Sequence, residues 1–187
     1  MKDSNFILSA PLQQLMDEHV SLRADMDLIY EISEDIESNS GPAVVQLFAR
    51  LYEQVSAFNE KLKEHSKREE EGLFPLITSH LGANDRTIDE MEAEHEKAEH
   101  HLRDFLLEAE RAGINIDEDA AGWITVYAVQ ALATLTQHFA KEEKMLFPLA
   151  ESILSVQEKE DLNGSFRIDS VLLQVLFYTH RSTHKSV

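Results

Sequence analysis

The sequence predicts an all-α fold, an up-down-up-down four-helix bundle with a short C-terminal extension. Three observations support this. The chain has 187 residues but only 6 Gly and 4 Pro, enough length for one sizeable core and too few breakers for a sheet-and-turn protein. Four segments carry apolar residues at helical spacing. Short breaker clusters separate them, which suits antiparallel neighbours.

The first helix is expected from near Pro11 to about Ile36, with the stripe Leu12, Leu15, Met16, His19, Leu22, Met26 and Ile29. His19 interrupts an apolar stripe, so it should face the core. Ser38-Asn39-Ser40-Gly41-Pro42 ends the helix. The second helix presents Val44, Leu47, Phe48, Leu51, Val55, Phe58 and Leu62, and His65 and Glu69 continue that face. Pro75 should end or kink it, with a turn at Gly82-Ala83-Asn84-Asp85. The third helix carries Ile88, Met91, His95, Ala98, Leu102, Phe105 and Ala109 and stops at Gly113. The fourth starts near Asp119 and shows Ile124, Tyr127, Ala131, Leu135, His138, Glu142, Leu146 and Leu149.

The bundle is assigned to residues 1–154 and a helical extension or tail to 155–187. The extension opens at Ser155-Val156-Gln157-Glu158, which has capping-box form. Its run Val171-Leu172-Leu173-Gln174-Val175-Leu176-Phe177-Tyr178 is apolar except at Gln174. Two readings follow: a terminal helix packed on the bundle, or a patch through which two copies form a homodimer.

Composition narrows the function. A net charge of −18 repels phosphate backbones and anionic lipid surfaces, so neither nucleic acid nor membrane is expected as a partner. The absence of Cys removes disulfides, thiolate metal sites and cysteine nucleophiles together. Phe6-Ile7-Leu8 is too short an apolar patch for a secretory signal, and no run could span a bilayer. A soluble cytoplasmic protein is the expectation.

Two phrases carry the chemistry. His65-Ser66-Lys67-Arg68-Glu69-Glu70-Glu71-Gly72-Leu73-Phe74-Pro75-Leu76 and His138-Phe139-Ala140-Lys141-Glu142-Glu143-Lys144-Met145-Leu146-Phe147-Pro148-Leu149 agree at seven of twelve positions, too many for chance at this spacing. A His and a Glu four residues apart lie about 40° apart around a helix and about 6 Å along it, so both reach one point. A fainter repeat aligns Leu12, Leu15, Glu18, His19, Met26 and Ile29 with Ile88, Met91, Glu94, His95, Leu102 and Phe105. Each half thus offers one lone His and one His-x-x-x-Glu.

His19, His65, Glu69, His95, His138 and Glu142 all lie on core stripes. Lone core histidines are often merely hydrogen-bonded, but two buried glutamates would cost several kcal/mol or take up protons. A pair of cations turns them into ligands. Imidazole with carboxylate and no thiolate suits iron or manganese and allows zinc. If both glutamates bridge, the protein supplies about four bonds per metal, leaving about two positions on an octahedral iron. One would hold an oxo or hydroxo bridge and one would be open to dioxygen or nitric oxide.

These residues resemble the hemerythrin-like (HHE cation-binding) family over roughly Leu12 to Leu149. The resemblance implies a four-helix bundle with a non-haem di-iron centre on those six residues. Oxygen-carrying members have a further His where this chain has Glu99, and a longer His-to-Asp spacing in the fourth helix. The four-His, two-Glu pattern is similar to that of the di-iron proteins that repair iron–sulfur centres. The resemblance therefore implies a protein that binds or senses dioxygen or nitric oxide, with iron donation for cluster repair and peroxide or nitric oxide reduction as alternatives. Glu99, four residues after His95, is either an extra ligand, an outer acceptor or a solvated residue. His80, His100, His101, His180 and His184 are expected in turns, the tail or on the surface.

Overall fold

In the computed structural model, residues 7–82, 84–113 and 116–168 are described. Apart from short connections they are helical, with no strand among them. The first long rod is α1, Ala10–Ser38. The second is α2, Pro42–Arg68, which passes through a π-helical turn at Glu69–Leu73 into α3, Phe74–Leu81. The third is α4, Thr87–Ala112. The fourth is α5, Glu118–Lys141, which passes through a π-helical turn at Glu142–Leu146 into α6, Phe147–Ile153. A further helix, α7, covers 156–168. Among the described residues, no helix is long and apolar enough to cross a membrane.

Local chemistry sets the boundaries. Asp117 caps α5 by accepting from the Ala120 amide at 2.8 Å, and Asp85 accepts from the Thr87 amide at 2.8 Å at the start of α4. Gly113 ends α4 with φ of +64°, a conformation that side chains resist. Ser155 and Glu158 form the reciprocal capping box expected for α7. The Ser155 amide donates to Glu158 at 2.7 Å, and the Glu158 amide donates to Ser155 Oγ at 3.3 Å.

Pro75, expected to end or kink the second helix, does not end that rod, and Pro148 sits in the fourth in the same way. Proline lacks an N–H, and its ring would strike the carbonyl four residues back. The chain widens by one residue just before each proline: the Phe74 amide bonds to the Glu69 carbonyl, and the Phe147 amide to that of Glu142. Pro75 and Pro148 then sit in the first turn of α3 and α6, where proline is favoured. The wider turn also moves the buried face one residue onward. Ala150 is buried where Leu149 was expected, and Leu149 is half-buried. Tyr127 is likewise half-buried, with Ala128 fully buried beside it.

Rod α1 packs against α2 and α5, and α4 against α5 and α2. Their apolar faces form two clusters. One runs from Leu22, Phe48, Leu62 and Ala98 to Leu135 and Phe139. The other joins Leu12, Leu15, Leu73, Phe74, Met91, Leu146 and Phe147 with Leu162 and Phe166 of α7. On the first three rods the polar residues His19, His65, Glu69 and His95 fall between these two clusters in sequence, and on the fourth His138 and Glu142 flank Phe139 at the same junction. The polar layer therefore divides the core. The apolar run 171–178 lies outside the described residues.

Candidate metal centre

All six expected site residues are buried and brought together. Two groups have donor atoms within 4.8 Å of one another: His19, His65, Glu69 and Glu142, and Glu69, His95, His138 and Glu142. Each group takes both histidines of one sequence half, and the two groups share both glutamates. Glu142 turns one oxygen to each side, Oε2 to His19 Nε2 at 3.2 Å and Oε1 to His138 Nε2 at 3.1 Å. Glu69 Oε2 lies 3.4 Å from His65 Nε2 and 3.5 Å from His95 Nε2. Glu99 belongs to neither group; it is half-buried on α4.

The imidazoles are aimed by four further carboxylates. His65 Nδ1 donates to Glu18 at 2.9 Å, His95 Nδ1 to Glu70 at 2.7 Å, His138 Nδ1 to Glu94 at 3.1 Å and His19 Nδ1 to Glu143 at 2.9 Å. A carboxylate can only accept, so each Nδ1 carries the proton and each Nε2 keeps a lone pair turned inward. Arg68, Lys141 and Arg23 stand behind Glu18, Glu94 and Glu143 respectively. Sequence reasoning had placed Glu18 and Glu94 in the repeat and Glu70 and Glu143 in the repeated phrase, but gave none of them a role. Their repetition was the available signal.

The geometry fits cations. His19 Nε2 and His65 Nε2 lie 3.0 Å apart, and with both lone pairs facing inward they repel each other. Two nitrogens each about 2.1 Å from one ion, at a right angle, would be about 3.0 Å apart. Among the described residues, both oxygens of Glu69 and Glu142, with Nε2 of His95 and His138, are buried without a hydrogen-bond partner. Native proteins rarely leave so many polar atoms orphaned in one place. Electrostatics agree. Burial and the neighbouring Glu142 push the Glu69 carboxyl well above its usual range. Burial also pushes on Glu142, but His138 and His19 outweigh it and hold that carboxyl low.

Aromatic rings close the layer. Phe147 lies 5.4 Å from the His19 ring and Phe74 lies 5.7 Å from the His95 ring, a matched pair in the repeat. Hollows of about 190 and 360 Å³ lie over Glu18 and Glu94, again at matched positions. Of the remaining histidines, His80 is helical rather than in a turn, because Pro75 starts α3 instead of ending the rod. It meets Glu158 at 2.9 Å. His100 is exposed, whereas His101 is half-buried. His180 and His184 lie outside the described residues.

An all-helical protein with two buried His/Glu groups, sharing their carboxylates and orphaned without an ion, is a metal-binding helical bundle. Residues 10–150 match the family model of the hemerythrin HHE cation binding domain, and the chain belongs to that family. No curated protein and no solved structure matches it.

Proposed function

We propose that this protein holds two iron ions between His19 and His65 on one side and His95 and His138 on the other. Glu69 and Glu142 would bridge them, and the centre binds or senses a small oxidant, dioxygen or nitric oxide. The observation that carries the reading is the sharing of both glutamates by the two four-residue groups. Imidazole and carboxylate donors without thiolate favour iron or manganese. Manganese or zinc at the same donors would be the departures to look for. When bound, the pair of ions supplies redox capacity and open positions for a small ligand.

The chain's own residues do the rest. Glu18, Glu70, Glu94 and Glu143 fix the ring tautomers and point each Nε2 at its ion. Phe74, Phe147 and the apolar clusters keep water from the inner carboxylates. The reading also has the four rods run up, down, up and down, in keeping with their short connections and the packing of consecutive rods. It assigns the bundle to 1–154 and a separate extension to 155–187, in a cytoplasmic protein.

The test is metal content of freshly purified protein, with spectra under air, vacuum and nitric oxide. About two irons per chain with a reversible oxygen- or nitric-oxide-dependent band supports the reading. Iron passed to an apo-cluster acceptor would assign iron donation instead, and turnover with an added reductant would assign an enzyme. A chain that takes up no metal would refute all three.

A further inference from the structure

The two halves of the centre carry matching outer carboxylates but not matching charge. Glu18 and Glu143 hold the imidazoles of His65 and His19, and Glu70 and Glu94 hold those of His95 and His138. Arg68 stands behind Glu18 at 3.3 Å, Arg23 behind Glu143 and Lys141 behind Glu94. Glu70 pairs with His95 and, among the described residues, meets no Lys or Arg. The outer charges around His19 and His65 therefore cancel. Those around His95 and His138 leave one negative charge over.

The difference is written into the repeat. The register that aligns His19 with His95 aligns Arg23 with Glu99, so the second half has no basic counterpart of the residue that braces Glu143. Arg23 is steadied from a second side, with its guanidinium 5.5 Å from the centroid of the Phe139 ring. A cation on a carboxylate draws its charge away from the imidazole beyond it. The unbraced bond, His95 Nδ1 to Glu70, is 2.7 Å long, whereas the three braced ones measure 2.9, 2.9 and 3.1 Å. The carboxylate that keeps its full charge thus takes the closest hold on its imidazole proton, which makes His95 the most basic of the four ligands.

We propose that Arg23 and Glu70 decide which half of the centre takes the first electron. One electron from an outer-sphere, one-electron donor turns the ferric ion between His19 and His65 ferrous, while the ion between His95 and His138 stays ferric. No bond to the protein forms or breaks. The ferric ion carries one more positive charge, so it is favoured beside the half with a negative charge to spare and the more basic imidazole. The ferrous ion is favoured where Arg23 and Arg68 cancel both carboxylates. Partly buried charges of this kind are screened far less than exposed ones. Arg23 acts through Glu143 and His19, and Glu70 through His95, so both are positioning residues. The proposal rests on the two-iron reading above.

The experiment is an anaerobic reductive titration of the di-ferric chain with dithionite and redox mediators. It is followed by electron paramagnetic resonance of the one-electron-reduced pair, the state with an odd number of electrons. The rise and fall of that signal give two one-electron potentials. Arg23→Gln should lower the first potential by about 59 mV and move the second less. That is a tenfold change in the equilibrium, the low end of what outer partners of metal-bound histidines contribute. Glu70→Gln should raise the second potential by about as much and move the first less. Arg23→Lys keeps the charge and should keep both potentials. If Arg23→Gln does not load iron, Glu70→Gln, at a side chain that is 41 % exposed, decides alone. Arg23→Gln moving mainly the second step, or Glu70→Gln mainly the first, overturns the proposal. Equal shifts of both steps, no shift, or a single two-electron step overturn it as well. Those outcomes leave the two-iron reading standing, whereas a chain that takes up no iron, or one ion only, overturns both.

Discussion

Removing the metal should destabilise this protein by a margin that can be worked from the unpartnered atoms. At the centre four side chains, Glu69, Glu142, His95 and His138, have buried atoms without a partner among the described residues. Each such group costs about 1–3 kcal/mol when its water is not replaced. Supplying cations to all four should therefore recover about 4–12 kcal/mol. For a chain of this size each kcal/mol moves the midpoint of thermal unfolding by about 2–4 °C, so even the low end is a rise of about 8 °C. The assay is helical circular dichroism during heating, anaerobically, for chelator-treated protein and for the same protein titrated with ferrous iron. The midpoint should climb with iron until about two equivalents are taken up, and then only slowly with free metal. Midpoints that agree within about 2 °C, the equivalent of one kcal/mol or less, would refute the argument that cations satisfy these atoms.

Three further outcomes follow. In metal-free protein the raised Glu69 carboxyl penalises folding above its usual 4.5, so stability should increase as pH falls from that group's raised value toward 4.5, and denaturant titrations of Glu69→Gln should lose this slope. Ser155 and His80 hold the Glu158 carboxyl down at about 2 against a usual 4.5, so its contribution is full above 4.5 and lost between 4.5 and about 2; the protection of 156–168 from hydrogen exchange, taken relative to the intrinsic rate at each pH, should fall across that window, and Glu158→Gln should remove the step. Gly72→Met should release α7, because a Cβ at Gly72 would already lie 2.9 Å from Leu162 Cδ1 and 3.2 Å from Phe166 Cε1. The release forfeits at most about 3–6 kcal/mol from those two side chains, and it would be read as proteolytic cleavage within 156–168 with the bundle intact.

Much of the fold was legible because the stripes are simple. Every residue expected on the face of α4, from Ile88 to Ala109, is buried, as is all of the α1 stripe except the half-buried Met16. The π-helical turns were not legible as such. Periodicity assumes a constant number of residues per turn, and Pro75 read as an end or a kink; nothing in a 3.6-residue pattern announces one extra residue. The place where α7 docks was hidden for a related reason. Gly72 and Met145 occupy matched positions, yet only Gly72 leaves room for Leu162 and Phe166, and Met145 remains 63 % exposed. A glycine in a charged helix reads as a weak point until its neighbour is seen.

The six inner residues were legible from spacing, but the carboxylates around them were not, because they act across rods. Spacing reports only neighbours along one helix. Glu18 on α1 holds His65 on α2, and Glu70 after α2 holds His95 on α4. Glu94 on α4 holds His138 on α5, and Glu143 after α5 holds His19 on α1. The four bonds close a cycle in which each rod positions the next rod's imidazole. This explains the paired glutamates at 69–70 and 142–143: the first of each pair points inward, and the second reaches across to the neighbouring rod. It also explains the Glu that precedes His19 and His95, since one rod must both present a ligand and hold another's. No rod can then shift or turn without misaiming two imidazoles, its own and its neighbour's. A duplicated helix pair supplies such a cycle from two copies of one set of contacts.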